Sequence, residues 1–263
     1  MNLVRAELLK ILTTRMWWGL LIGAVLFAAF AAAVTAAVAG SAEAGAPGQN
    51  PVTTVALDDP AMLRSVYSQG FNAYVFAMIL GIVGMTGEYR HQTITPTFLT
   101  TPRRSRVVLA KIVTYSGMGL FYGVLATVAA VIAGAAVIVF RGYDLGLTGN
   151  AVPQTLALCV LTVGVWAVFG LGLGTLIKNQ IAAILVAVGS IFVLETLLSL
   201  GLNYLELGEV AQFLPSNASS AITQPIDQGI DLLPWWGGAL VLTVYGLVFA
   251  GLGAALTLRR DIT

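Results

Sequence analysis

The sequence predicts an all-α integral membrane protein with six transmembrane helices, both termini in the cytoplasm and almost nothing that folds as a soluble domain. Three observations predict it. Hydrophobic residues fill 58% of the 263 positions and charged residues only 10%, with a mean hydropathy of +0.89. A globular domain carries about 25% charged residues to keep its surface wetted. Six apolar stretches reach the roughly 20 helical residues needed to cross a hydrocarbon core of about 30 Å. Finally, with the N-terminus placed inside, 11 of the 13 basic residues fall on the cytoplasmic side, as resistance of positive charge to translocation requires.

The chain begins with an amphipathic segment. Over residues 1–15, Met1, Val4, Leu8, Ile11 and Leu12 share one helical face, with Asn2, Lys10, Thr13 and Thr14 opposite. Such a helix lies in the inner headgroup region. It is either a plain anchor or a lever that feels a cytoplasmic partner. The spans are expected near 16–40, 67–87, 108–140, 153–176, 180–202 and 235–257. Basic residues, the first apolar run and Ala37-Val38-Ala39 imitate a signal peptide. The run exceeds the roughly 7–15 residues of a signal core, so a retained span is expected. The third stretch is too long for one perpendicular span, which puts Lys111 and Thr114 at or beyond the headgroups. Lys178, Asn179 and Gln180 join spans four and five as a tight hairpin.

The inside segments hold Arg5, Lys10, Arg15, Arg90, Arg103, Arg104, Arg106, Lys111, Lys178, Arg259 and Arg260, leaving Arg64 and Arg141 outside. Trp17 and Trp18 then sit at the inner interface and Trp235 and Trp236 at the outer one, where amphipathic rings concentrate. Gly19/Gly23, Gly119/Gly123 and Gly170/Gly174 have GxxxG spacing, and span one adds the small run Ala28–Ala33. Small residues let helices approach closely in lipid. The pairs therefore pack helices within one subunit or form an interface between subunits, with span one the first candidate for the latter.

The stretch 88–106 between spans two and three is the most charged part of the chain. Ile94, Phe98 and Leu99 give a short helix an apolar face, Thr93 or Thr95 caps its start, and Pro102 lies past its end. An apolar face in the cytoplasm has to be covered by headgroups or by another protein.

These residues carry a family resemblance. Glu88-Tyr89-Arg90, then Thr93, Leu99, Pro102-Arg103-Arg104 and Lys111, resemble the first cytoplasmic loop of ABC-2 (type V) permeases, the membrane subunits of ATP-binding-cassette exporters. Many relatives have glycine where this chain has Gln92. The resemblance extends over a single transmembrane domain, 1–263: an interfacial helix at 1–15, a cytoplasmic coupling loop at 88–106, and a structured outer segment at 203–233. It implies that Glu88, Tyr89, Arg90, Thr93, Ile94, Phe98, Leu99, Pro102, Arg103 and Arg104 couple the chain to an ATPase. It also implies two ATPase subunits that bind ATP and Mg, a second permease copy or a homologous permease, and a bacterial cytoplasmic membrane. Membrane lipid is an expected partner and nucleic acid is not. The apolar lining suits export of a lipophilic or amphipathic cargo such as a drug, an antibiotic or a lipid-like molecule.

Residues 203–233 contain no Lys or Arg, and Pro215 and Pro225 break them into pieces. In the family such a segment forms short helices that dip into the outer leaflet. Glu195 is the one acid well inside an expected span, and intramembrane acids are costly and usually functional. With Trp166, Asn72 and Tyr122 it is a candidate for the substrate pathway, against the simpler reading that it reaches the outer headgroups.

Enzyme chemistry is not expected of this chain. Gly170-Leu171-Gly172-Leu173-Gly174 lies within a span, with no preceding strand and no Lys-Ser/Thr, so it is no phosphate loop. His91 and Cys159 are the single histidine and cysteine and lie far apart. No HExxH, paired-Cys or Gly-x-Ser-x-Gly motif is present. No cofactor is therefore expected on this chain, and ATP hydrolysis would belong to a partner. The alternative function is an ion-coupled carrier or channel, which would need ionisable groups or broken helices near the midplane. A non-transporting scaffold is a third reading.

Overall fold

The computed structural model describes residues 3–41, 55–92, 104–147, 149, 151–205, 207–223 and 232–259, and among these every regular element is helical. Helix α1, Leu3–Thr13, leads into α2, Met16–Val38. Next come α3, Pro60–Ser68, a 3-10 segment Gln69–Ala73, and α4, Tyr74–Arg90. Helix α5, Arg104–Phe140, has 37 residues, about 55 Å at 1.5 Å per residue. Helix α6 is Val152–Leu176. The following rod consists of α7, Gln180–Gly189, a π-helical segment Ser190–Leu194, and α8, Glu195–Tyr204. Two short helices, α9 (Gly208–Ala211) and α10 (Pro215–Thr223), precede α11, Trp235–Arg259.

Among the described residues, five stretches are long and apolar enough to cross a membrane: Met16–Val38, Pro60–Arg90, Arg106–Phe140, Val152–Leu176 and Gln180–Leu202. The apolar run Trp235–Phe249 is shorter. The second stretch starts earlier than the expected 67. Asp59 accepts a hydrogen bond from the amide of Ala61 at 2.7 Å, and Pro60 occupies the first turn. That combination satisfies an orphan donor and pre-sets the backbone, so it nucleates a helix where hydropathy alone sees a loop. Asn179 does the same for α7 by accepting from the amides of Ile181 and Ala182.

Small residues set the packing. Ala24, Ala28, Ala32 and Ala36 are buried at every fourth position of α2, on the face that packs along α5. A side chain at Gly119 or Gly123 would strike α6, and one at Gly170 or Gly174 would strike the α4 backbone, Met78 O and Ile82 O respectively. These GxxxG pairs therefore pack helices inside the chain. The alanine stripe of span one is buried inside the chain as well, while a Cβ at Gly19 would meet nothing within 4 Å. Helix α6 lies against α4, α5 and α11 and forms the middle of the bundle.

Arg141, one of the two basic residues expected outside, closes α2. Its Nη1 donates to the carbonyls of Ala36 at 2.8 Å and Ala39 at 2.9 Å, satisfying orphan acceptors of a helix C-terminus.

Candidate functional site

Four charged side chains from three elements meet at the end of the bundle that carries α1. Glu7 and Lys10 come from α1, Glu88 from the last turns of α4 and Lys111 from the second turn of α5. Lys10 Nζ donates to Glu7 Oε1 at 2.6 Å and to Glu88 Oε1 at 2.8 Å. Lys111 Nζ donates to Glu7 Oε2 at 2.7 Å and to Glu88 Oε1 at 2.8 Å. Each lysine bridges both acids, so two negative and two positive charges close into a neutral ring.

Three members of the ring are buried: Glu7 is 4%, Glu88 6% and Lys111 3% exposed. An isolated charge at such a place costs several kcal/mol of desolvation, which only close opposite charge and good hydrogen bonds offset. The effect on the two acid–base groups of α1 follows. Burial alone would raise the Glu7 carboxyl, but the charge of Lys111 and the hydrogen bonds from both lysines outweigh it and hold the group below 4.5. Burial would likewise lower Lys10, yet its bonds to Glu7 and Glu88 keep its ammonium above 10.5.

The face of α1 turned to the protein thus carries Glu7, Lys10 and Ile11, while Val4, Leu8, Leu9 and Leu12 stay exposed. Ile11 leaves the expected apolar face and packs into the core. Thr114 of α5, which also bonds its own Ala110 carbonyl, lies 3.5 Å from the carbonyl of Val4.

The ring brackets the stretch singled out by the sequence. Helix α4 ends two residues after Glu88: the amide of His91 donates to Gly87 O, that of Gln92 to Tyr89 O, and Gln92 adopts φ +55°. That is the left-handed region which favours glycine. Lys178 of the α6–α7 turn lies over the Tyr89 ring, 5.9 Å from its centroid. Arg90 is exposed. Thr93, Ile94, Phe98, Leu99, Pro102 and Arg103 lie outside the described residues, as does the side chain of Arg104, which opens α5.

The expected pathway residues separate into three sets of contacts. At the far end of the bundle, Glu195 Oε2 accepts the amide of Ser216 at 2.7 Å and also its hydroxyl. Ser216 is in the first turn of α10, so a carboxylate from the α7–α8 rod caps a helix from the stretch expected outside. Trp166 of α6 donates Nε1–H to Ser219 Oγ at 2.8 Å, one turn further along. Gly238 of α11 completes the seat, since a Cβ there would lie 2.4 Å from Ala218 O. Asn72 is bonded instead to Gln69 O and Gln69 Oε1 within the 3-10 segment, two residues before Tyr74, whose ring lies 4.8 Å from that of Trp166. Tyr122 makes the third set, donating its hydroxyl to Trp17 O and joining α5 to the start of α2.

Sequence reasoning found Glu88 and Lys111 but not their partner Glu7. Its only local signal is the Glu7–Lys10 spacing of three, which pairs charges on one helical face. The π-helical turn before Glu195 had no sequence signal either. Among the described residues, no three His, Cys, Asp or Glu side chains group as metal ligands would.

A family model described as "ABC-2 family transporter protein" matches residues 3–194 of the chain. No curated protein matches it.

Proposed function

The chain belongs to the ABC-2 family of transporters, a multi-pass membrane transport component, and from that premise we propose that it is the permease subunit of an ATP-driven exporter. Two ATPase subunits, holding ATP and Mg, dock on the 88–106 loops of this chain and of a second permease, either an identical copy or a homologue. The apolar helix Trp235–Arg259 serves as the sixth span, both termini lie in the cytoplasm of a bacterial cell, and α1 rests in the inner headgroups with Leu8, Leu9 and Leu12 toward lipid. Cargo is lipophilic or amphipathic: a drug, an antibiotic or a lipid-like molecule.

One observation carries this reading. The charge ring ties together the two helix ends that flank the coupling loop, through Glu88 and Lys111, and ties both to α1. A push on the loop then moves α4, α5 and α1 as one joint, because separating any member strands a buried charge. Glu88 acts inside the joint; Tyr89, Arg90 and the loop residues Thr93, Ile94, Phe98, Leu99, Pro102, Arg103 and Arg104 meet the ATPase. At the outer end, Glu195 and Trp166 hold α10 over the exit of the pathway.

The test is co-purification. The tagged chain, expressed with an ATPase encoded beside it, is expected to bring that subunit down and to transport only with hydrolysable nucleotide. Transport by the purified chain alone, without ATPase or nucleotide, overturns the proposal. Replacing Phe98 and Leu99 with serine is expected to abolish co-purification while membrane insertion persists.

A further inference from the structure

A cavity of about 450 Å³ opens beside the charge ring, between α1, the start of α2, α4 and Gln180 of α7. Its volume is within the range of about 300–1,000 Å³ typical of small-molecule sites. One part of its wall is apolar, with Ile11, Met16, Leu80 and Val83. Its width comes from glycine: Tyr115 lies across Gly84, while a Cβ built on Gly87 meets nothing within 4 Å.

The other part of the wall is charged, and its balance is positive once Lys111, which lies behind the wall and bonds both acids, is counted with it. Glu7 and Glu88 are neutralised by Lys10 and Lys111. Arg90 and His91 also line the cavity, and their side chains have no hydrogen bond or ion pair among the described residues. Lys10, whose side chain is 46% exposed, uses two of its three N–H donors on the acids. Cationic donors of Arg90 and Lys10 that no described residue occupies, beside an apolar wall, match a molecule that carries the opposite charge on an apolar body.

We propose that this cavity is a binding site for an amphiphile with one anionic headgroup, a carboxylate or a phosphate, on an apolar chain. The headgroup sits at the third donor of Lys10 and, while no ATPase is docked, at Arg90, and the chain runs along Leu80 and Val83. The inference rests on the transport reading in taking the occupant as cargo or membrane lipid, and it adds the sign of the headgroup charge.

The full chain in nanodiscs of neutral phosphatidylcholine, without ATPase or nucleotide, tests it by fluorescence titration with 11-(dansylamino)undecanoic acid and its methyl ester. The acid is expected to bind about tenfold more tightly than the ester, and Arg90→Gln to remove about that factor, as loss of one charged hydrogen bond implies. Gly87→Cys, alkylated after folding with N-ethylmaleimide, is expected to lose binding altogether; the native Cys159 is fully buried and unreactive to the reagent. Equal binding of acid and ester, or binding that survives alkylation, overturns the site. Exchanging part of the lipid for phosphatidylglycerol separates the sources: displaced probe assigns the site to a membrane headgroup, retained probe to a cargo molecule. Because no nucleotide or ATPase is present, lost binding leaves the permease reading standing, and failed co-purification leaves the site standing.

Discussion

Glu88 and Glu195 are both carboxylates buried in the bundle, 6% and 7% exposed, and they are held in different ways. Glu88 accepts from two lysine ammonium groups, each of which also bonds Glu7. Glu195 has no cation within ion-pair distance among the described residues and accepts from the backbone and hydroxyl of Ser216 at a helix start. The first arrangement needs charge, because removing one partner strands the others. The second needs an acceptor, because what it satisfies is a set of N–H and O–H donors. A joint that must move as one piece suits the first; a short helix that is seated at two points suits the second. The family match ends at residue 194, so the ring lies inside it and Glu195 just outside.

The sharpest way to break this contrast is to remove charge while keeping shape. Glu88→Gln is expected to destabilise the chain by about 3 kcal/mol or more, as breaking a buried pair from one side does, and Lys111→Met by a similar amount. Glu195→Gln is expected to cost below about 1 kcal/mol, since the amide oxygen still accepts from Ser216. Thermal unfolding of the purified variants in one detergent measures all three. Equal losses for Glu88→Gln and Glu195→Gln would mean that both sites need only an acceptor.

Acid and alkali should do reversibly what those substitutions do permanently. Docking holds Glu7 below 4.5, so its contribution is present above 4.5 and fades as pH falls through the depressed value. Lys10 is held above 10.5, so its contribution is present below 10.5 and is lost as pH rises through the raised value. Helix α1 is therefore expected to stay docked across the neutral range and to loosen beyond either limit. A spin label at the exposed Leu9 reads this as constant mobility between the limits and increased mobility outside them. Mobility that changes only between pH 6 and 8 would contradict the ring as the clamp.

How much of this was legible beforehand follows from the distance over which each feature is encoded. A span is encoded in its own twenty or so residues, so the apolar rods were readable, including the excess length of α5. The start of α3 was not, because Arg64, Ser65 and Ser68 dilute its hydropathy although Met62, Leu63, Val66 and Tyr67 are buried. Glu88 stood out in a charged loop. Its contacts with residues 78 positions before it and 23 after it depend on three helices meeting, which no local pattern records. Trp166 and Glu195 were singled out as isolated polar groups in apolar runs. Their common purpose, seating α10 through Ser219 and Ser216, appears only once the chain returns 53 and 21 residues later.

The seat of α10 yields a smaller effect. Glu195→Ala removes the acceptor itself and is expected to cost about 1–2 kcal/mol, the range for losing a helix cap. It should also speed hydrogen exchange at the Ser216 amide, with Glu195→Gln close to the parent. If exchange at Ser216 is unchanged in Glu195→Ala, the cap contributes nothing and α10 is held by Trp166 and α11 alone.

The smallest effect returns to the end that carries the charge ring. Gln92 closes α4 at φ +55°, a conformation that costs a residue with a Cβ about 1 kcal/mol relative to glycine. Glycine loses more backbone entropy on folding, so Gln92→Gly is expected to gain only about 0.5 kcal/mol, read as a slightly higher unfolding temperature. The substitution touches neither Glu88 nor Lys111, so a gain here with the ring intact separates backbone strain from charge as sources of stability at the end of α4. A loss instead would mean that the Gln92 side chain makes a contact that outweighs its strain, and that the loop is anchored by more than the ring.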